Sequence, residues 1–345
     1  MDDPLRHHGD VEVAGMEDFA VNVYGGPRPA WLDAALRASL DDVGAYPCSA
    51  AARGAVAARH GRPVDDVLVT AGAAEAFTLV ARMRAWRRPV VVHPQFTEPH
   101  AALEQAGHAV TPVLLPEPFA LDPGAVPDDA DLVVVGNPTN PTGRLHPAAA
   151  IRSLTRPGRL VVVDEAFIDC VPGERESVVA VRDPGLLVIR SLTKHWGIPG
   201  VRAGYLLGGA DVVAGLAHFQ TPWSVATAAA AAVEACCSPA ALAEAAHRAG
   251  LVAAWRDHLE RGLAELGVRH LASAASFVLA QVGHGVHGRL RDAGIAVRRA
   301  DTFPGLDASW VRIAVRPPDR TDRLLRALTS TETEDGVPGS RTGTP

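Results

Sequence analysis

Cysteine is scarce: four residues, Cys48, Cys170 and the adjacent pair Cys236-Cys237, in a chain of 345. None stands in a Cys-x-x-Cys spacing, so neither a disulfide framework nor a thiolate metal site is expected, and reduced thiols in the cytoplasm are. The fourteen histidines include no His-Glu-x-x-His, and no metal is expected. Gly-x-Gly-x-x-Gly, a Walker loop and a Gly-x-Ser-x-Gly elbow are also missing. The start, Met1-Asp-Asp-Pro4, is acidic and has no apolar signal core. The longest alanine-rich run, 225–237, is interrupted by Glu234 and is too short to cross a bilayer. The net charge is -6 with both signs interspersed, which gives no electrostatic footprint for nucleic acid. No repeat of fixed period occurs.

What is present reads as a soluble globular α/β chain: 48% apolar, 21% charged and long enough for two domains. Short apolar runs recur at 67–70, 89–93, 132–136, 160–163 and 187–189. They lack alternation, as strands buried on both faces do, and helical spacing separates several of them. These features imply a mainly parallel sheet. Just past each run come glycines and polar residues, the place where open α/β sheets bind ligands. Residues 31–40 and 50–60 have helical spacing, with a loop at 41–47. An alanine-rich helical region runs from Trp223 to about 267, broken near Ser238-Pro239. Segments 276–280, 295–297 and 310–315 read as alternating, half-buried strands, and 321–328 as a last helix. The expected division is an amino-terminal arm (1–30), a large domain (31–222), a small α+β domain (223–328) and a disordered polar tail (329–345).

One stretch carries the chemistry: Ser191-Leu-Thr-Lys194-His-Trp-Gly-Ile-Pro-Gly-Val-Arg202. A lysine that forms a Schiff base needs a rigid support, and hydroxyls with a guanidinium suit a phosphate. Pyridoxal phosphate carries both an aldehyde and a phosphate. The rival readings are a solvated surface lysine, or the Ser-x-x-Lys nucleophile motif of penicillin-binding proteins. The latter also requires Ser-Asp-Asn and Lys-Thr-Gly, which do not occur. Other strand ends supply the remaining contacts. Asp164 offers a carboxylate for a protonated pyridine nitrogen. Ala73 and Ala74, after Gly72, offer backbone N–H groups at a helix start. Phe96 can stack on the ring, and Asn140 can donate to its phenolate oxygen.

Asn140-Pro-Thr-Gly143, Asp164-Glu-Ala-Phe167 and Ser191-x-Thr-Lys194 with Arg202 together resemble the fold-type I pyridoxal-phosphate enzymes. The likeness is to the branch holding histidinol-phosphate aminotransferases and threonine-phosphate decarboxylases, and it covers residues 7–328. It implies that Lys194 holds the cofactor aldehyde, that Asp164 pairs with the ring nitrogen, and that Ala73, Ala74, Ser191, Thr193 and Arg202 hold the phosphate. Tyr46 would reach a neighbouring subunit's cofactor phosphate, implying a homodimer. His8, Asn22, Arg298 and Arg312 would bind substrate, Arg312 at its carboxylate or its phosphate. His8-Gly9-Asp10, Asp18-Phe-Ala-Val-Asn22, Phe167 in place of the aminotransferases' usual tyrosine, and the 297–306 segment resemble the decarboxylases. The expected reaction is therefore decarboxylation of L-threonine O-3-phosphate, a step toward cobalamin, with amino transfer of the histidinol-phosphate type as the alternative. Asp10 departs from that family's Gly-Asn, and Tyr24-Gly25 from its Asn-Pro. A regulator built on this fold would need a DNA-binding module, for which the first thirty residues are too short and too acidic.

Overall fold

The computed structural model describes residues 4–332, which form two sheets. The first strand, β1 (Glu17–Phe19), belongs to the smaller one. The larger is built from β2 (Val67–Thr70), β3 (Pro89–His93), β4 (Thr111–Leu114), β5 (Leu132–Gly136), β6 (Leu160–Asp164), β7 (Leu186–Ser191) and β8 (Gly204–Leu207). Its order is β2-β8-β7-β6-β5-β3-β4. From β4 across to β7 all neighbours are parallel, and β8 runs antiparallel to β2 and β7. The alternate valines of each run face two different cores. Val90, Val92, Val133, Val135, Val161 and Val163 pack on one side; Val91, Val134 and Val162 on the other, against helices Ala73–Met83, Glu98–Gln105 and Ala210–Phe219. Each fully buried valine contributes roughly 1.5–3 kcal/mol, which is why polar residues appear only at the carboxyl ends of these strands. β4, β8 and helix Ala210–Phe219 were not legible in the pattern.

The smaller sheet adds β9 (Arg269–His270), β10 (Phe277–Gln281), β11 (Ile295–Arg299) and β12 (Trp310–Ala314), in the order β1-β11-β12-β10-β9. The expected half-buried alternation is corrected here: β10 and β12 are buried almost throughout. Val278, Ala280, Val311 and Ile313 face the helices of this half, whereas Leu279 and Trp310 pack into the core of the large sheet. Both faces are covered, so period two survives without a polar face. The arm is also more ordered than an extended tether. Glu17, Asp18 and Phe19 pair in parallel with Ile295, Ala296 and Val297. Arg316 fixes the next stretch of the arm, donating to the carbonyls of Asp18, Val21 and Val23.

Helices Thr227–Cys236 and Pro239–Glu265 break where expected. Ser238 caps the second, its hydroxyl accepting from the Ala241 N–H at 3.2 Å, with Pro239 in the first turn. The last helix is longer than its apolar spacing suggested and spans Pro318–Glu332. The first residues of the expected tail are thus helical, and 333–345 lie outside the described residues. Among the described residues no single helix is long and apolar enough to cross a membrane. The carboxyl ends of β2, β3, β5, β6 and β7 open on one side, where the small sheet and the arm close over them.

Candidate active site

A cavity of about 560 Å³ lies at those strand ends. It brings together every site residue expected from the sequence except Tyr46. Lys194 comes after β7 and is half-buried; its carbonyl accepts from the Tyr24 N–H at 2.9 Å, which ties it to the arm. Burial lowers its amine to about 8, and Arg312 and Arg202 push the same way. Composition carries a further signal that the motifs did not: Lys194 is the only lysine in the chain, the other basic residues among its 33 lysines and arginines being arginine. A chain that replaces lysine everywhere but here needs an amine here.

At one end of the cavity Ser191 Oγ and Thr193 Oγ1 lie 2.8 Å apart. Arg202 takes a left-handed φ of 59° after the tight turn Pro199–Val201, and donates to the Pro199 carbonyl at 2.9 Å. Its guanidinium is packed on Gly72, where an added Cβ would stand 2.6 Å from Nη2. Gly72 has φ 78° and starts helix Ala73–Met83 without any side-chain cap. The first-turn N–H groups of that helix, at Ala73 and Ala74, are therefore available, with the positive end of the helix dipole behind them. Any side chain at Gly72 would fill this cradle, and its donors suit a phosphate.

At the centre, Asp164 is buried, with Oδ1 accepting from the Ala166 N–H at 3.0 Å. Burial pushes its carboxyl up to about 6. A buried carboxylate held this way lacks a cationic partner, and a protonated ring nitrogen supplies one. Asn140 Oδ1 accepts from Arg312 at 2.6 Å, which orients the amide and leaves its N–H₂ to donate into the cavity. Phe96 stands on the wall beside Phe77, ring centroids 6.3 Å apart. The residues present fit pyridoxal phosphate: an amine, a carboxylate, a phosphate cradle and a ring platform.

Toward the mouth the arm and small sheet contribute. Arg298 is 2% exposed and Arg312 6%, and among the described residues neither forms an ion pair. Arg298 donates to the His7 carbonyl at 2.6 Å and Thr302 Oγ1 at 2.7 Å; Arg312 donates to the Ala20 carbonyl at 2.6 Å, and its Nε has no partner. Burial lowers Arg298 to about 10 and holds Arg312 well below its ordinary value, so both favour an anion. Asn22 is buried with both amide atoms unpartnered. His8 pairs with Glu98 at 2.7 Å. Gly9 is packed so closely that a Cβ would meet the Ala20 carbonyl oxygen at 2.5 Å and Arg312 at 3.3 Å. Glu98 was missed in the sequence, although it lies just past β3, where the strand-end rule applies. Tyr46 is elsewhere: it is 76% exposed and stacks on the exposed Trp223, ring centroids 4.3 Å apart.

Sheet order, crevice and residue set define a fold-type I enzyme whose cofactor is pyridoxal phosphate. The family model for aminotransferases of class I and II matches residues 14–328, and the chain belongs to that family. It is 48% identical over 318 residues to a histidinol-phosphate aminotransferase of Mycobacterium tuberculosis, covering 90% of this chain and 87% of the relative. It is 30% identical over 339 residues to the threonine-phosphate decarboxylase of Salmonella typhimurium, covering 90% of each. The crystal structure of the histidinol-phosphate aminotransferase from Clostridium acetobutylicum shares the fold, with a TM-score of 0.84 and 24% identity over 92% of this chain and all of that one.

Proposed function

We propose that this enzyme transfers an amino group between a phosphate-bearing amine of the histidinol-phosphate type and an oxo acid. The observation that carries this reading is the 48% identity, over nine-tenths of the chain, to relatives named histidinol-phosphate aminotransferase. It reverses the preference drawn from the sequence, because the decarboxylase relative is only 30% identical. The motifs that favoured the decarboxylase are short; the identity is spread along the whole fold.

Bound in the cavity, pyridoxal phosphate supplies an aldehyde for the amine and a ring that draws electrons from the substrate's α-carbon. The chain's own residues do the rest. Lys194 would hold the aldehyde and would carry the proton that moves at that carbon. Asp164 would pair with the ring nitrogen and Asn140 with the phenolate oxygen; Phe96 would support the ring. Ala73, Ala74, Ser191, Thr193 and Arg202 hold the phosphate. Arg298 and Arg312, with His8 and Asn22, take the substrate's anionic groups, phosphate in one half-reaction and carboxylates in the other. Remote binding of this kind orients the reacting bond.

Threonine-phosphate decarboxylation remains the second reading, favoured by one side chain. Phe167 lines the cavity edge-on to Phe277, centroids 4.9 Å apart, and puts no hydroxyl beside the ring. The experiment gives the enzyme histidinol phosphate with 2-oxoglutarate and, separately, L-threonine phosphate alone. Glutamate is expected from the first and no gas from the second. Carbon dioxide released from threonine phosphate without an oxo acid, and no glutamate in the first arm, overturns the proposal in favour of the second reading.

The exposed Tyr46 belongs to this proposal as a contribution to a second subunit's cofactor phosphate. Mixing Lys194→Ala with Tyr46→Ala chains is then expected to restore up to about a quarter of wild-type activity, since one site in each mixed two-fold dimer is intact. Full activity in a dilute monomer would argue against the shared site.

A further inference from the structure

Behind the strand ends lies a charged cluster that the proposed chemistry does not use. Glu165 comes just after the site residue Asp164, past the end of β6, and Arg190 just before the site residue Ser191 on the neighbouring β7; both are fully buried, 0% exposed. Their side chains are 2.9 Å apart, Arg190 Nε to Glu165 Oε2. Glu165 Oε1 also accepts from the Val178 N–H at 2.8 Å, and Oε2 from the Ser177 hydroxyl at 2.8 Å. The Ser177 oxygen in turn accepts from Arg190 and from the Val179 N–H, so its own hydrogen points at Glu165. Every hydrogen-bonding and ion-pair partner of Glu165 is a donor or a cation. Burial pushes its carboxyl up, but only the carboxylate form fits that shell.

The cluster extends outward. Arg190 reaches Glu174 at 2.8 Å and Asp169 at 3.6 Å, and Arg59 reaches the same two acids at 2.8 and 2.9 Å. His60, bonded to the Tyr205 hydroxyl at 3.0 Å, is pushed down to about 3 by burial and is uncharged. Three carboxylates therefore face two guanidinium groups, an excess of one negative charge. Buried ion networks are poor stabilisers compared with apolar packing, so stability alone does not explain this one. On the cavity side the balance is reversed by a narrow margin: the four bases Lys194, Arg202, Arg298 and Arg312 outnumber the three carboxylates Asp10, Glu98 and Asp164. Their field opposes a protonated ring nitrogen at Asp164. An excess negative charge on the far side of Asp164 opposes that field.

We propose that Glu165, held by Arg190, is a positioning residue that acts through Asp164 to keep the cofactor's ring nitrogen protonated. This rests on the reading of Asp164 as the ring-nitrogen partner. The step is proton occupancy only: no bond to carbon forms or breaks at Glu165.

The test compares pyridoxal phosphate with its 1-deaza analogue, which has carbon in place of the ring nitrogen, and tracks the ¹⁵N resonance of ring-labelled cofactor against pH. In Glu165→Gln the nitrogen's midpoint is expected to fall by about one unit, a tenfold change in proton affinity. Affinity for pyridoxal phosphate should fall with it while affinity for the deaza analogue holds. Glu165→Asp keeps the charge and should restore the midpoint. Glu174→Gln removes a carboxylate that is one-third exposed and better screened, and should lower the midpoint by much less than Glu165→Gln does. If Glu165→Gln does not fold, Arg190→Lys carries the test. Lysine cannot reach Glu165, Asp169 and Glu174 together, so the buried Glu165 carboxylate loses its fixed partner, takes up a proton more readily, and the midpoint should fall. An unmoved midpoint in the folded variant, or an equal loss for both cofactors, overturns the proposal. Asp164→Asn separates the two levels: if it fails to discriminate between the cofactors, the reading of Asp164 is wrong; if it discriminates and Glu165→Gln does not, only the inference fails.

Discussion

Borohydride reduction of the cofactor-loaded protein is expected to fix pyridoxal phosphate to Lys194, and Lys194→Ala to abolish both the fixed adduct and turnover. The chain makes this unusually clean, because no second lysine competes for the label. Burial also makes the amine ready. With its proton affinity lowered to about 8, roughly one molecule in ten carries the neutral, nucleophilic form at pH 7, against about one in three thousand for an ordinary lysine. Because acid removes that neutral form, capture of the cofactor should slow as pH falls below about 8, and an exposed lysine would show the same decline about two and a half units higher. Loss of both the bond to the cofactor and the proton carrier should lower turnover by about 10⁴-fold or more. Peptide mapping after reduction checks the address, and a label on the terminal amine alone would remove Lys194 from its role.

Asp164→Asn is expected to have the second largest effect. It keeps the shape and the bond from the Ala166 N–H but removes the charge. A hydrogen bond to a charged group contributes about 1.5–3 kcal/mol, so cofactor affinity should fall by roughly ten- to a hundredfold. Turnover with saturating cofactor should fall further, by about 10²–10³-fold, because charge developing in the reaction loses its electrostatic support. Equilibrium dialysis and saturated kinetics separate the two losses. Near-normal turnover in the saturated variant would refute the pairing.

The strand-end residues were legible because two physical rules coincide at them. Strands such as Leu132–Gly136 and Leu160–Asp164 must be apolar on both faces, and the first polar residues past them must line the crevice. That logic drew Asn140, Asp164 and Lys194 toward one crevice, and all three line the same cavity. It failed for Gly204–Leu207, whose antiparallel entry between two parallel strands leaves no mark in periodicity. It failed in another way for β10 and β12, where alternation was read as a wet face although the wet face is covered by the other half of the molecule. Glu165 and Arg190 were hidden for a related reason. Each is one residue from a recognised site residue, and the strand pleat turns it to the opposite side, where no motif directs attention. The choice between reactions was the least legible part, since Phe167 and the His8-Gly9-Asp10 segment are single contacts on a framework both reactions share.

The pairing of Glu17–Phe19 with Ile295–Arg299 has a consequence for the order of assembly. A ribosome delivers the arm first and its partner strand almost last, with nearly the entire large sheet made in between. The phosphate cradle and Lys194 have all their local supports once β8 has emerged. His8 can find Glu98 earlier, but Gly9 and Asn22 are not fixed until Arg312 and Arg316 arrive to hold the carbonyls of Ala20, Val21 and Val23. The nascent chain thus has Lys194 and its neighbouring hydroxyls and guanidinium in place well before Arg312 orients Asn140 and the arm is roofed over, and the chamber closes only when β12 and Arg316 have been made.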